Sequence, residues 1–267
     1  MENSKVDDAF MLATFGPMAT VTGTCEKHGD WSTEVREKMM AGRSCPTCAA
    51  EAKAEKERKE AEAKAEAARQ RRLDRLDNAG VSLRHLTRTF DAYIAENAEQ
   101  SGALEKCKSL ADGIIKDPVR QPSLIMCGNP GTGKTHLACA IVIAVSDGGR
   151  SACRISAADM VREFKDSWKK DSEFDERRLL NWYGTIDLLV IEEVGVQFGS
   201  DTERMYIFEV VNRRYENCLP TVIVSNMDID KIRAEVGERV LDRLREDGGR
   251  MIKFTGASWR KQWPTSR

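Results

Sequence analysis

The chain is predicted to fold as an α/β domain on a five-stranded parallel sheet, preceded by a small metal-binding module and a long charged helix. Three observations predict it. Five short apolar runs alternate with helical patterns after Pro122, a glycine-rich loop follows the first run, and a charged stretch without Gly or Pro precedes them all. Runs that alternate with helices feed a parallel sheet covered on its faces. The runs are Leu124 to Cys127, Ala152 to Ile155, Asp187 to Ile191, Thr221 to Ser225 and Arg250 to Phe254. No internal repeat is present.

With 267 residues, 41% of them hydrophobic and 32% charged, the chain holds one full domain and a smaller appendage. Its 42 basic and 43 acidic residues give a net charge of −1, which excludes the global basic surface of a nucleic-acid coat protein, so any DNA contact is local. No stretch approaches the roughly 20 apolar residues of a membrane span, and Met1 to Ala13 lacks the basic and apolar regions of a signal peptide. A cytoplasmic location is expected, without a membrane partner.

Taken in order, the N-terminal part carries Cys25-x2-His28 and Cys45-x2-Cys48, which supply four zinc ligands as two chelating pairs. So small a module has little core, and zinc would supply its folding energy. Cys107, Cys127, Cys139, Cys153 and Cys218 stand singly in helix-like or strand-like runs and read as small core hydrophobes. From Ala49 to Ala79, Ala, Glu, Lys and Arg dominate, which favours helix; apart from alanines only Leu73 and Leu76 are apolar, so the helix buries no broad stripe. It reads as a solvated spacer about 45 Å long at ~1.5 Å per residue; a partly disordered charged linker is the alternative. Val81, Leu83, Leu86, Phe90, Tyr93 and Ile94, then Leu104 and Leu110, return at helical spacing and open the globular part. The expected organisation is a zinc module over 1–48, a linker over 49–80 and a nucleotide-binding domain over 81–267.

Gly128-Asn129-Pro130-Gly131-Thr132-Gly133-Lys134-Thr135 follows a strand-like run and precedes an apolar helix, Leu137 to Val145, the context a phosphate-binding loop requires. Gly128, Gly131 and Gly133 let backbone amides turn towards phosphates, and the helix N-terminus adds a favourable dipole. Lys134 is expected to reach the β- and γ-phosphates and the Thr135 hydroxyl to ligate Mg²⁺; His136 completes the expected ATP-binding set. The third run ends in Glu192-Glu193, at the strand end that faces a ligand in open α/β sheets. Glu192 would hold Mg²⁺ and Glu193 would orient the attacking water. Asn226 ends the fourth run, in reach of the γ-phosphate or as an ordinary turn former. Arg239, Arg243 and Arg245 on a helix from Gly237 to Arg245, and Arg260 beyond it, are either a solvated face or a source of transition-state charge.

Several of these stretches together resemble the DnaC-type replicative helicase loaders of the AAA+ class, of the DnaC/IstB-like family, over residues 88 to 263. They are Thr89-Phe90-Asp91-Ala92-Tyr93 with Ala103-Leu104, the phosphate loop, Asp187 to Gln197, Val211-Asn212-Arg213-Arg214, and Gly237 to Leu244. The resemblance implies an AAA+ ATPase that binds the replicative helicase and places it on single-stranded DNA. It makes Arg243 the arginine finger acting on a neighbouring subunit's ATP, with Arg239 second, and hence implies self-association. Asn226 becomes the first sensor and Arg260 the second. Trp168 and Lys165, within Met160 to Lys170, become single-stranded DNA contacts, stacking on a base and holding its phosphate; for Trp168 core packing is the alternative. The helicase-gripping element would be N-terminal, and the zinc head suggests a phage or prophage form. One departure stands out: the family's usual Asp-Glu is Glu192-Glu193 here, which threatens hydrolysis more than binding. A helper ATPase of transposition and a nucleotide-switched zinc adaptor with little hydrolysis are the competing readings.

Overall fold

The structure is a computed structural model that describes residues 11, 13–39, 44–168, 175–195 and 201–259. The chain divides into two compact units, Met1–Gln70 and Arg71–Arg267.

In the first unit, β1 (Met18–Cys25) and β2 (Gly29–Arg36) pair antiparallel from Met18 opposite Arg36 to Cys25 opposite Gly29. Helix α1 (Pro46–Asn78) begins in this unit and runs on into the second. The charged stretch is therefore helical, as its composition requires, and its exposed face is laced by i,i+4 pairs such as Lys53–Glu57, Lys56–Glu60 and Arg58–Glu62. Its one buried side chain is Leu76.

The second unit holds the predicted sheet. Five parallel strands, β3 (Leu124–Gly128), β4 (Ala152–Ser156), β5 (Leu188–Glu192), β6 (Thr221–Val224) and β7 (Arg250–Phe254), lie in the order β4-β5-β6-β3-β7. The five apolar runs match these strands to within a residue at each end. Alternate side chains enter opposite faces. Leu124, Met126, Leu188, Val190 and Val222 face one apolar cluster, with helices α2 (Ala98–Lys116) and α3 (Lys134–Asp147). Ile125, Cys127, Leu189, Ile191 and Ile223 face the other. That cluster is closed by α4 (Ala157–Asp166), α5 (Glu176–Thr185), α6 (Asp201–Glu216), α7 (Ile229–Val236) and α8 (Glu238–Arg245).

Two departures from the sequence reading have physical causes. The compact unit starts at Arg71, before Val81, because Leu76 and Ala79 are buried in the first cluster and Arg72 holds Asp147 through two hydrogen bonds of 2.9 and 2.7 Å. Cys107, Cys127, Cys139 and Cys153 are core residues, and burial pushes the Cys107 and Cys153 thiols up to about 12. Cys218 is not: it is half-buried, with φ 53 in the turn after α6, where its carbonyl accepts from the Arg120 amide.

One polar residue pins the second cluster. Arg214 is fully buried on α6, and its guanidinium donates to the carbonyls of Tyr183, Ile186 and Pro220 and to the Thr221 hydroxyl. It thereby ties the end of α5 to the start of β6.

Candidate functional site

The phosphate loop forms where β3 turns into α3. The Asn129 amide donates to the Phe254 carbonyl on β7, and its side-chain amide donates to the Thr255 and Gly256 carbonyls. Gly128 has φ 119, and a Cβ there would lie 2.3 Å from the Phe254 carbonyl oxygen, so only glycine lets the two strands close at this point. The Thr132 hydroxyl donates to the Asn129 carbonyl at 2.7 Å, and Gly133 caps α3. Lys134 is buried, and its ammonium donates to the Gly128 and Asn129 carbonyls at 2.8 and 2.5 Å. It lies folded along the loop.

A cavity of about 670 Å³ opens over this loop. Residues Pro130 to His136, Glu192, Glu193 and Asn226 line it together, so side chains from β3, β5 and β6 meet in one place as the strand ends predict. Glu192 is buried; desolvation pushes its carboxyl up from the ordinary range, while Arg154 and, less strongly, Thr135 favour the ionised form. Its Oε2 is paired with Arg154, whereas Oε1 is buried without a direct hydrogen-bond partner. A buried carboxylate with one oxygen not held by Arg154, beside the Thr135 hydroxyl, is a donor set that suits Mg²⁺. Glu193 follows with φ 59, a left-handed conformation that costs energy for a residue with a side chain and ends the strand sharply. Its exposed carboxylate lines the cavity.

The cavity also contains residues the sequence reading did not place at the nucleotide. Thr87, Arg88 and Tyr93 come from the segment before α2, and Trp259 from beyond β7. The Tyr93 hydroxyl is buried without a partner, and its ring meets His136 edge-on at 5.2 Å. His136 itself bonds the Thr89 carbonyl at 2.9 Å. The Trp259 amide donates to the Gly131 carbonyl, so the C-terminal segment seals one side of the loop. A helical pattern signals that such residues are apolar or charged, not that the chain returns them to the loop. Ser225 is another: buried, it donates to the Val194 carbonyl at 2.6 Å and fixes the segment that follows Glu193.

The arginines are dispersed. Arg243 is half-buried, with its guanidinium 4.9 Å from the Phe208 ring centroid and 5.6 Å from that of Tyr215, whereas Arg239 is exposed. Neither lines the cavity of its own chain. Arg260, Lys169, Lys170, Val196 and Gln197 lie outside the described residues. Trp168 is 58% exposed; its indole donates to Glu176 and tilts against Tyr206, and Lys165 one turn away is exposed too. The aromatic that enters the core of this segment is Phe164, stacked on Tyr206 at 4.3 Å.

In the first unit, Cys25 ends β1, His28 sits in the hairpin turn, and Cys45 and Cys48 open α1. Their ligand atoms all lie within 4.8 Å of one another. His28 Nδ1 is 3.9, 3.7 and 3.3 Å from the sulfurs of Cys25, Cys45 and Cys48, and the Cys25 and Cys48 sulfurs are 3.5 Å apart. Tetrahedral zinc with its usual bond lengths sets such edges at about 3.4–3.8 Å. Amides of Lys27 and His28 turn towards Cys25, and amides of Cys48 and Thr47 towards Cys45, which holds both thiols below their ordinary range. The other ring nitrogen, His28 Nε2, faces Glu51 at 3.1 Å, the outer partner that orients a metal-binding imidazole.

Fold and site together define a P-loop nucleotide-binding α/β protein with an N-terminal Cys/His cluster suited to zinc. Comparison with known proteins makes the class specific: residues 57–265 match the IstB-like ATP binding protein family, and the chain belongs to that family. It is 34% identical over 189 residues to the replicative helicase loader DnaC of Escherichia coli K12, covering 70% of this chain and 74% of that protein. The corresponding loader of Buchnera aphidicola (subsp. Baizongia pistaciae) is 32% identical over 187 residues, covering 70% of this chain and 75% of its own length. The crystal structure of the DnaC helicase loader aligns with a TM-score of 0.58 at 22% identity, covering 65% of this chain and all of that one. AMPPCP-bound DnaA from Aquifex aeolicus aligns with a TM-score of 0.55 at 21% identity, over 65% of this chain and 51% of that one. The five-stranded parallel α/β fold is thus shared with both of these solved structures.

Proposed function

We propose that this chain is an ATP-dependent loader that binds a replicative DNA helicase and delivers it to single-stranded DNA. The observation that carries the reading is the meeting of the phosphate loop, Glu192, Glu193 and Asn226 in one cavity, in a chain that covers most of a helicase loader. In this reading the loop amides and Lys134 bind the ATP phosphates, while Tyr93 and Trp259 bound the pocket. Thr135 and Glu192 would hold Mg²⁺, which would supply positive charge against the phosphates. Glu193 orients the attacking water and Asn226 contacts it or the γ-phosphate.

Arg243, or the exposed Arg239, serves the ATP of an adjoining subunit, and Arg260 contacts nucleotide in its own chain. That Arg239 and Arg243 do not line the chain's own cavity supports a site completed by self-association through the AAA+ domains. Trp168 and Lys165 provide a stacking platform and a phosphate contact for single-stranded DNA, supported by the exposure of both side chains. Residues 1–48, folded around zinc, would grip the helicase, 49–80 would act as a spacer, and 81–267 would form the ATPase. Among the described residues no helix is long and apolar enough to cross a membrane, in keeping with a cytoplasmic role.

The test is co-purification of the full chain with the host's replicative helicase, with and without ATP. A stable complex in at least one state is expected. No complex in either state overturns the loader reading and favours a transposition helper or an adaptor.

A further inference from the structure

The Glu192 carboxylate is held by an arginine that belongs to no motif. Arg154 lies on β4, next to β5, in a register that sets Ile155 opposite Ile191 and Ser156 opposite Glu192. Its Nη2 donates to Glu192 Oε2 at 2.5 Å, with the two side chains 15% and 8% exposed. Its Nη1 donates to the Gly80 carbonyl at 2.8 Å, and its backbone amide donates to the Ala79 carbonyl at 2.9 Å. Gly80, with φ +77, packs so closely on Arg154 that a Cβ would come within 1.9 Å of the Arg154 carbonyl oxygen. One guanidinium therefore joins the residues that follow α1 to the carboxylate at the mouth of the phosphate loop.

The pairing accounts for the unusual Glu192. A glutamate reaches one methylene further than the aspartate usual at this place and has one more rotatable bond. Left alone, a buried glutamate has several rotamers and a strong tendency to neutralise. The planar guanidinium of Arg154 fixes one oxygen through one N–H and holds the Gly80 carbonyl through another. It leaves Oε1, the buried oxygen without a partner, for a ligand on the Thr135 side.

We propose that Arg154 is a positioning residue for the metal ligand Glu192 and links it to the Ala79–Gly80 exit of the long helix. The inference rests on the ATP-site reading above. Its action is on Mg²⁺ binding, not on the chemical step, and it depends on residue 192 being long enough to reach the guanidinium.

Mg²⁺ is titrated into the full chain at fixed fluorescent ATP, and the midpoint is compared for the wild type, Arg154→Gln, Arg154→Lys, Glu192→Asp and the corresponding double variants. Magnesium-free nucleotide binding reports an intact loop. Loss of an outer partner of a metal ligand costs about tenfold or more in metal affinity, so Arg154→Gln is expected to raise the midpoint by at least that. Arg154→Lys, a charge without the fork, recovers part of it. In the Glu192→Asp background, where the shorter side chain falls short of Arg154, either substitution shifts the midpoint by less than about twofold. Equal shifts in both backgrounds, or no shift with Glu192 present, overturn the proposal. Should Arg154→Gln lose magnesium-free binding, the lysine variant carries the same comparison. A wild type that binds ATP without any response to Mg²⁺ overturns the metal site itself, a result distinct from equal shifts.

Discussion

The two units of the chain reach order by opposite routes. Between Arg71 and the C-terminal strand, both faces of the sheet bury continuous apolar clusters. Before Arg71, Cys45 is the one buried residue among those described, and the Cys/His cluster stands where a core would be. A unit with a core can place polar groups at its strand ends for chemistry. A unit without one must spend its best polar groups on staying folded, which leaves its surface to recognise a partner. The proposed division of labour, an ATP site in one unit and a partner-binding surface in the other, rests on that difference.

The contrast is broken most severely by removing metal. A structural zinc site contributes about 10–16 kcal/mol of apparent binding energy to a module of this kind. Cys45→Ser, or a strong chelator, is expected to release one zinc per chain and open the segment before Arg71 to protease, while ATP binding stays within twofold. Loss of both together would show that the units fold as one. In the other unit Arg214→Ala leaves four backbone or hydroxyl acceptors unpaired in the second cluster, at an expected cost of about 3–5 kcal/mol in a urea melt, with zinc content unchanged. Tolerance of this change would remove Arg214 as the pin of that core.

Smaller effects sharpen the comparison within the ATP unit. Glu193→Gln is expected to keep ATP affinity and lower turnover by about 100-fold or more, as measured by phosphate release. Unchanged turnover would take Glu193 out of its role. Trp168→Ala should weaken single-stranded DNA binding by about 1–3 kcal/mol in a fluorescence anisotropy titration without altering ATP affinity. An unchanged affinity would make the indole's contact with Glu176 its whole purpose.

What the sequence made legible was local. The five apolar runs and the Gly-rich loop define the sheet, because each strand announces itself in five or so residues. Cys25, His28, Cys45 and Cys48 were legible because ligand pairs keep their spacing. The rest depends on pairings between distant segments. Arg154 and Glu192 are 38 residues apart and meet only because β4 and β5 are neighbours. Arg214 sits in a helix among charged residues and looks solvated until the topology brings the end of α5 and the start of β6 around it. Arg88 and Tyr93 lie ahead of the loop in sequence, and their place in the cavity is set by how the segment before α2 folds back. Trp168, open to either core or surface in the sequence, is exposed because Phe164 already fills the core position on that turn.

The most direct test of the loader reading is assembly of the replicative helicase on a closed single-stranded DNA circle, followed by strand displacement. With the full chain and ATP, helicase activity on the circle is expected to rise well above that of helicase alone, and Lys134→Ala is expected to abolish the gain. Equal activity with and without the chain, on DNA that helicase alone enters poorly, would contradict the account.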